Sequence, residues 1–422
     1  MKLNEILIEQ KEEIEEKISQ TSIVEREMSE FAKGFLNSKL VKITTGIRRS
    51  GKSFFTSLLL RRKKFGYVNF DDERLLYNEP NEILSSLIET YGKDMQIIFF
   101  DEIQNLKNWE FFVNRLHRSN YNIFITGSNA KLLSKELATH LTGRHITFEI
   151  FPFSFREYLA ARKFKENLNT TKGRSLVKRE LNEYMSMGGF PEIVVEGENP
   201  KIYLRELYAS IIERDIILRY NVAYKKTFKE IAISLISNFT RSMSYNRIRK
   251  QFKIGSDHTA KNYISYMEEA YLLFPLSKFS YKPKEIERSE KKIYVMDTGF
   301  INHIAYKFRE DKGHIIENLV AIDLLRRKSL ERNLDLYYYK DYQQREVDFV
   351  LKQGERVQQL IQVCYDIDDF NTKERDLKSL VKASKQLNCN NLLVITWDYE
   401  AKEEFKGKTI TFKPLWKWLL NL

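Results

Sequence analysis

Residues 40–60 read Leu40-Val41-Lys42-Ile43-Thr44-Thr45-Gly46-Ile47-Arg48-Arg49-Ser50-Gly51-Lys52-Ser53-Phe54-Phe55-Thr56-Ser57-Leu58-Leu59-Leu60. An apolar run enters a glycine-bounded turn, and leucines at helical spacing leave it, so the stretch predicts strand, turn and helix in that order. Within it stands G-x-x-x-x-G-K-S, from Gly46 to Ser53. A turn of this kind aims successive backbone N–H groups, and the positive end of the new helix, at the phosphates of a nucleotide. Lys52 is then expected to reach the terminal phosphates and the Ser53 hydroxyl to ligate Mg2+. Gly46, Ile47, Arg48, Arg49, Ser50, Gly51, Lys52, Ser53 and Phe54 form the expected nucleotide-binding set, with ATP and Mg2+ as cofactors. Arg48 and Arg49, inside the loop, are expected to meet solvent or partner phosphates.

Working outward, Gln96-Ile97-Ile98-Phe99-Phe100-Asp101-Glu102 is a buried strand that ends in two carboxylates. Asp101 is expected to hold the metal hydration shell beside Ser53, and Glu102 to orient and deprotonate the attacking water. The following strand ends Thr126-Gly127-Ser128-Asn129, which makes Ser128 a candidate sensor of the terminal phosphate. Arg144 is a candidate guanidinium for the developing charge, in cis or from a neighbouring subunit. Arg26 is a weaker candidate for cation–π contact with a base.

The chain of 422 residues, 42% hydrophobic and 13% aromatic, is globular and long enough for two or three domains. No apolar run approaches the roughly 18 residues of a membrane span. The start, Met1-Lys2-Leu3-Asn4-Glu5, lacks the plan of a secretory signal. Cys364 and Cys389 are too few for a disulfide framework or a zinc site, so the cytoplasm is the expected compartment. Residues 1–30 hold nine Glu against four Lys or Arg; a chain of net charge +12 therefore carries +17 beyond them. That asymmetry suggests a polyanionic partner, DNA above all.

Residues 2–33 place Leu3, Ile6, Leu7, Ile14, Ile18 and Val24 at helical spacing among charges. Strands are expected at Leu40–Thr45, Tyr67–Phe70, Gln96–Phe100, Asn122–Thr126 and Ile146–Phe151, separated by helices, which implies a parallel sheet covered on both faces. Residues 151–240 read as helical, broken at Gly188-Gly189-Phe190-Pro191, a hinge or domain joint. Residues 244–295 suit a winged helix. Its second helix would carry His258, Lys261, Asn262 and Tyr263 on its first turns, where side chains reach base edges or phosphates. Lys278, Lys282, Lys284, Lys291 and Lys292 would decorate the wing. A surface for intramolecular or protein packing is the alternative. Mixed α/β structure returns in 313–400, with strands at Leu336–Tyr339, Val347–Leu351, Leu360–Val363 and Leu392–Thr396.

Together these residues resemble a widespread group of archaeal and bacterial AAA-type, STAND-like ATPases. The matching features are Gly46–Ser53, Phe99–Gln104, Thr126–Ser128, Gly143-Arg144, Pro152–Glu157, Gly188–Glu192, Glu213–Asp215, Asp297–Gly299, Glu317–Val320 and Glu346–Val350. The resemblance implies an α/β chain: an N-terminal amphipathic helix (1–35), a P-loop ATPase core with a parallel sheet (36–153), a helical lid (154–225), a winged helix (226–300) and a restriction-endonuclease-like α/β domain (301–422). In that last fold the pattern is a helical Glu, a strand Asp, then Glu-x-Lys around Mg2+. Glu317, Asp348 and Gln362 occupy the first three positions, as a possible nuclease site, but Cys364 stands where the lysine belongs. Lys340 or Lys352 could substitute from a neighbouring strand. Alternatively, Glu317 and Asp348 form a buried salt bridge with Arg345 or Arg326. Tyr337, Tyr338, Tyr339 and Tyr342 either stack on bases or fill core.

The expected function is ATP binding and hydrolysis coupled to DNA binding, branched or junction DNA included, with a degenerate nuclease domain. His258, Lys261, Asn262, Lys282 and Lys284 are the expected DNA contacts. The alternatives are a STAND-like regulatory switch with a protein partner and an ATP-gated, metal-dependent nuclease. A homo-oligomer is compatible with each, and a membrane with none.

Overall fold

The computed structural model describes residues 2–20, 23–127, 143–306, 312–367 and 370–422. The chain forms two compact units, one of residues 1–153 with 190–195 and the other of 154–189 with 196–422. The backbone thus passes from one unit to the other and back around the Gly188-Gly189-Phe190-Pro191 break.

In the first unit five strands are parallel: β1 (Val41–Thr45), β2 (Phe65–Asn69), β3 (Ile97–Asp101), β4 (Asn122–Gly127) and β5 (His145–Glu149), in the order β2-β3-β4-β1-β5. Strand β3, Ile-Ile-Phe-Phe-Asp, is apolar on both faces, as an interior parallel strand must be. Helix Pro80–Tyr91 starts with proline at its first turn and a capping box from Glu79 and Glu82. Helix Leu3–Gln20 buries Ile6, Leu7 and Ile14 in the same core. One topological fact positions the site. Strand β4 lies between β1 and β3, in register Thr45↔Gly127 and Phe100↔Ile125. The phosphate loop after β1 and the carboxylates ending β3 therefore emerge at one sheet edge, with Thr126 between them.

The second unit opens with helices Phe155–Ala161, Thr171–Met187 and Pro200–Ser210, the last running into a π-helical stretch, Ile211–Leu218. Helix Lys225–Ser237 leads to an antiparallel sheet of β6 (Ser242–Met243), β7 (Leu273–Ser277) and β8 (Lys291–Val295), ordered β6-β8-β7. Between β6 and β7 stand helices Tyr245–Phe252 and Asp257–Glu269, capped by the Ser244 and Ser256 hydroxyls. The remaining strands are β9 (Leu334–Lys340), β10 (Glu346–Gln353), β11 (Arg356–Cys364), β12 (Leu392–Thr396), β13 (Ala401–Phe405) and β14 (Lys408–Pro414). They form a mixed sheet ordered β13-β14-β12-β11-β10-β9. Helix Lys312–Leu330 precedes β9, and helix Phe370–Leu387 makes the crossover between the parallel strands β11 and β12.

The β13–β14 hairpin escapes the sequence reading. Its first strand, Ala401-Lys402-Glu403-Glu404-Phe405, is a polar edge, which hides its period. Its turn, Lys406-Gly407, has φ of +52° and +75°, the geometry of a tight hairpin.

Candidate functional site

The loop after β1 closes tightly. Gly46 has φ of +145°, and a Cβ there would lie 2.0 Å from the Ile150 carbonyl oxygen; Gly51, at φ +89°, starts the helix Lys52–Leu60. Only glycine fits the first position without moving backbone. Lys52 is buried and donates to the Ile47 carbonyl at 3.1 Å, inside its own loop. The Ser50 hydroxyl is fully buried and has no hydrogen-bond partner among the described residues. A buried hydroxyl of this kind is open to one further hydrogen bond. Arg26 braces the turn from outside the motif: its guanidinium donates to the Ser50 carbonyl at 3.0 Å and to the Phe151 carbonyl, and lies 4.9 Å from the Phe153 ring.

The Ser53 hydroxyl donates to Asp101 Oδ1 at 2.8 Å and the Tyr67 phenol to Oδ2 at 3.1 Å, while Thr126 donates to Oδ1. Burial, and then the neighbouring Glu102 charge, hold the Asp101 carboxyl above its usual range. Burial and Asp101 likewise push the Tyr67 phenol well up. Glu102 has a left-handed backbone, φ +50°, its N–H donating to Thr126 Oγ1 at 3.0 Å and its carboxylate held by the Gln104 amide. The Gln104 Oε1 atom lacks a partner among the described residues. A serine hydroxyl against a buried carboxylate at the mouth of a phosphate loop fits Mg2+ bound with a nucleotide. Ser53 and Asp101 would hold it.

A second carboxylate cluster lies in the second unit. Glu317 on helix Lys312–Leu330, Glu346 and Asp348 on β10, and Lys292 on β8 converge. Lys292 Nζ stands 2.9 Å from Glu317 Oε1, 2.5 Å from Glu346 Oε1 and 3.3 Å from Asp348 Oδ1, with its side chain 4% exposed. Burial works against that charge, but Glu317, with Asp348 and Glu346, outweighs it and keeps the ammonium protonated far above the usual lysine range. Glu317 is buried yet held below its ordinary value by Lys292, whereas burial and the Glu317 charge push Asp348 above its own. Tyr294 donates to Glu317 Oε1 at 2.8 Å, and the Val363 N–H to Asp348 Oδ2 at 2.9 Å.

Three family models match successive parts of the chain. The AAA domain family matches residues 38–159, one domain of unknown function (DUF8612) matches 178–311, and another (DUF4143) matches 312–418. Over 401 residues, 90% of this chain and 88% of the relative, the sequence is 40% identical to the uncharacterized protein MJ1544 of Methanocaldococcus jannaschii. The chain belongs to the family of MJ1544. An uncharacterized protein of Haemophilus influenzae is 28% identical over 399 residues, 90% of this chain and 95% of its own. Among solved structures, the Walker-type ATPase paby2304 of Pyrococcus abyssi is similar over 67% of this chain and 96% of its own, at 14% identity and a TM-score of 0.43. The AAA-domain match and the loop geometry make the first unit of this MJ1544 relative a P-loop ATPase domain. No helix among the described residues is long and apolar enough to cross a membrane.

Within this family member the first unit brings together Gly46–Phe54, Asp101 and Glu102. Ser128 lies outside the described residues. Arg144 is exposed where β5 begins, its carbonyl accepting from Val41 N at 2.9 Å. That is the opposite end of β1 from the phosphate loop. Arg49 pairs with Glu192 at 2.7 Å instead of facing solvent alone, and Arg26 is a brace, not a base-stacking group.

In the second unit His258 and Lys261 are exposed at the start of helix Asp257–Glu269, with Asn262 beside them at 3.3 Å from His258. Tyr263 is buried, against expectation, because it packs on Phe228. Lys282 and Lys284 are exposed on the β7–β8 connection. Lys291 and Lys292 are not: they enter β8, where Lys291 donates to Ser277 Oγ at 3.1 Å and Lys292 joins the carboxylates. The expected salt-bridge partners, Arg345 or Arg326, and the expected substitutes, Lys340 and Lys352, give way to Lys292. Lys340 reaches Glu346, at 3.8 Å, and Lys352 reaches Asp335, at 4.0 Å. Tyr338 fills core, while Tyr342 is 81% exposed.

Proposed function

We propose that the chain binds and hydrolyses ATP in its first unit and binds DNA through its second. The observation that carries the catalytic half is the Ser53–Asp101 hydrogen bond of 2.8 Å at the mouth of the phosphate loop. Bound Mg2+ would neutralise charge on the β- and γ-phosphates. Lys52 would leave the Ile47 carbonyl for the phosphates, and the loop N–H groups and the Ser50 hydroxyl would complete the cradle. Glu102, steadied by Gln104, would take the proton of the attacking water. Arg144, placed at the far end of its sheet, would serve only a neighbouring subunit of a homo-oligomer. Ser128 is retained as the phosphate sensor.

For the second unit the order of elements supports the domain division drawn from sequence. Helix, β6, two helices and the β7–β8 hairpin, in a sheet ordered β6-β8-β7, fit a winged helix over 226–300. Helix, three antiparallel strands, helix and a parallel strand, with Glu317 and Asp348 brought together, fit a restriction-endonuclease-like domain over 301–422. Exposed His258, Lys261, Lys282 and Lys284 would contact phosphates or base edges, with Asn262 alongside. Two buried free thiols, Cys364 and Cys389, agree with a cytoplasmic protein.

The test is a low-salt gel-shift titration on four-way junction, duplex and single-stranded DNA, with and without an ATP analogue, alongside ATP turnover. Binding to DNA together with DNA-stimulated turnover is expected; no shift on any substrate overturns the DNA half. A second reading, a STAND-like switch with a protein partner, is favoured by the Arg49–Glu192 pair. This pair ties the phosphate loop to the segment where the chain re-enters the first unit. It predicts nucleotide-dependent oligomerisation with no DNA stimulation.

A further inference from the structure

The C-terminal carboxylates would suggest a divalent cation between Glu317 and Asp348, yet the residues present do not fit one. The space a cation needs is taken by Lys292 Nζ, within 3.3 Å of oxygens from Glu317, Glu346 and Asp348. Mg2+ demands about six oxygens at roughly 2.0–2.1 Å in octahedral array, and a fixed positive charge at the centre excludes it. The side chains that might complete a metal shell are engaged elsewhere. Gln362 Oε1 accepts from Asp348 N at 3.4 Å. The Cys364 thiol, buried and pushed up to about 12, points at the Asp366 carbonyl and offers no thiolate.

The lysine is fixed in place by the fold. Lys292 and Tyr294 lie two apart on β8 and so share a face; both reach Glu317. The next residue, Val295, is gripped through its N–H and carbonyl, at 2.8 Å each, by the fully buried side chain of Asn318. Asn318 follows Glu317 on its helix, so the hydrogen bonds that dock the helix on β8 also set Glu317 against Lys292. The cluster opens on a cleft of about 860 Å³ that Arg241, Lys340, Arg345 and Arg375 also line.

We propose that Lys292 is the resident cation of this site: on the restriction-endonuclease-like reading proposed above, its ammonium stands where a nuclease would hold a divalent metal, so the cluster takes none. The test uses the full chain, free of nucleotide, titrated calorimetrically with Mn2+, so its outcome depends on neither ATP nor DNA and stays distinguishable from a failure of the function proposed above. The unmodified chain and its Asp348→Asn variant are expected to bind Mn2+ identically. Lys292→Met should gain one Mn2+ site, at least tenfold tighter than any binding in the unmodified chain, and Asp348→Asn in the same molecule should remove it. Lys292→Arg, which keeps the charge, should gain nothing. Mn2+ binding by the unmodified chain that Asp348→Asn abolishes would overturn the proposal, and so would a folded Lys292→Met protein that binds no better than the parent. Should Lys292→Met fail to fold, the comparison of the unmodified chain with Asp348→Asn decides alone.

Discussion

Asp101 ends β3 beside a lysine-bearing loop, and Asp348 sits in β10 beside a lysine-bearing strand. Both carboxyls are buried and both are held above their usual range. Their partners differ. Asp101 faces three hydroxyls, of Ser53, Thr126 and Tyr67, whereas Asp348 shares an ammonium with Glu317 and Glu346. Hydroxyls are neutral and can turn a lone pair toward an arriving cation. An ammonium already supplies the positive charge and cannot turn it off at neutral pH. Similar inventories of acid and lysine thus leave Asp101 among neutral hydroxyls and Asp348 beside a fixed positive charge.

The largest effects should fall on the first site. Glu102→Gln is expected to leave ATP binding intact while lowering turnover by about 100-fold or more, as loss of a general base does. Lys52→Ala should remove binding itself, read by calorimetry with an ATP analogue. Retained turnover in Glu102→Gln would show that the base is another group. At the second site Lys292→Ala should act on stability instead, costing about 3–5 kcal/mol by denaturant unfolding, because it takes the ammonium away from the buried Glu317 and Asp348 carboxyls. Indifference of stability to Lys292→Ala would erase the contrast between the two sites.

The sequence exposes these two sites unequally for a physical reason. The phosphate loop is contiguous, and Gly46, Gly51, Lys52 and Ser53 carry their geometry in their spacing; Asp101-Glu102 follows from a strand too apolar to be anywhere but inside. Thr126 and Tyr67 become partners of Asp101 only through the insertion of β4 between β1 and β3 and the pairing of β2 with β3, which no local pattern shows. Arg26 reads as a weak candidate for cation–π contact with a base, and only the fold brings it to the Ser50 carbonyl. Lys292 is the extreme case. Lys291-Lys292 at the start of a strand is the ordinary signature of a solvated hairpin, and nothing nearby reveals that helix Lys312–Leu330 and β10 will cover it.

Arg26 offers a middle-sized test of the open site. Arg26→Ala removes two charge-assisted hydrogen bonds to the backbone that carries the loop, each worth about 1.5–3 kcal/mol to a charged donor. The expected result is weaker nucleotide binding by roughly 10-fold to 100-fold with turnover at saturation little changed, since the arginine positions the loop without touching the Asp101–Glu102 pair. Arg26→Lys should recover little, because an ammonium cannot span the two carbonyls as the planar guanidinium does. A fall in saturated turnover as large as that in Glu102→Gln would instead put Arg26 in the chemistry.

The smallest effect belongs to the Arg49–Glu192 pair, whose side chains are 53% and 31% exposed. Surface pairs of this kind couple by about 0–1 kcal/mol and weaken with salt. Arg49→Ala and Glu192→Ala should each change ATP affinity by less than about fivefold at low salt. The double variant should match either single one, and the difference should vanish near 0.5 M salt, where charges are screened within about 4 Å. That pattern would mark the pair as a weak latch between the loop and the segment 190–195, suited to being opened by nucleotide. A tenfold loss in Arg49→Ala alone that persists in high salt would mean that Arg49 meets the phosphates itself. The latch reading would then fail, and with it the observation that favours the switch over the DNA-binding ATPase.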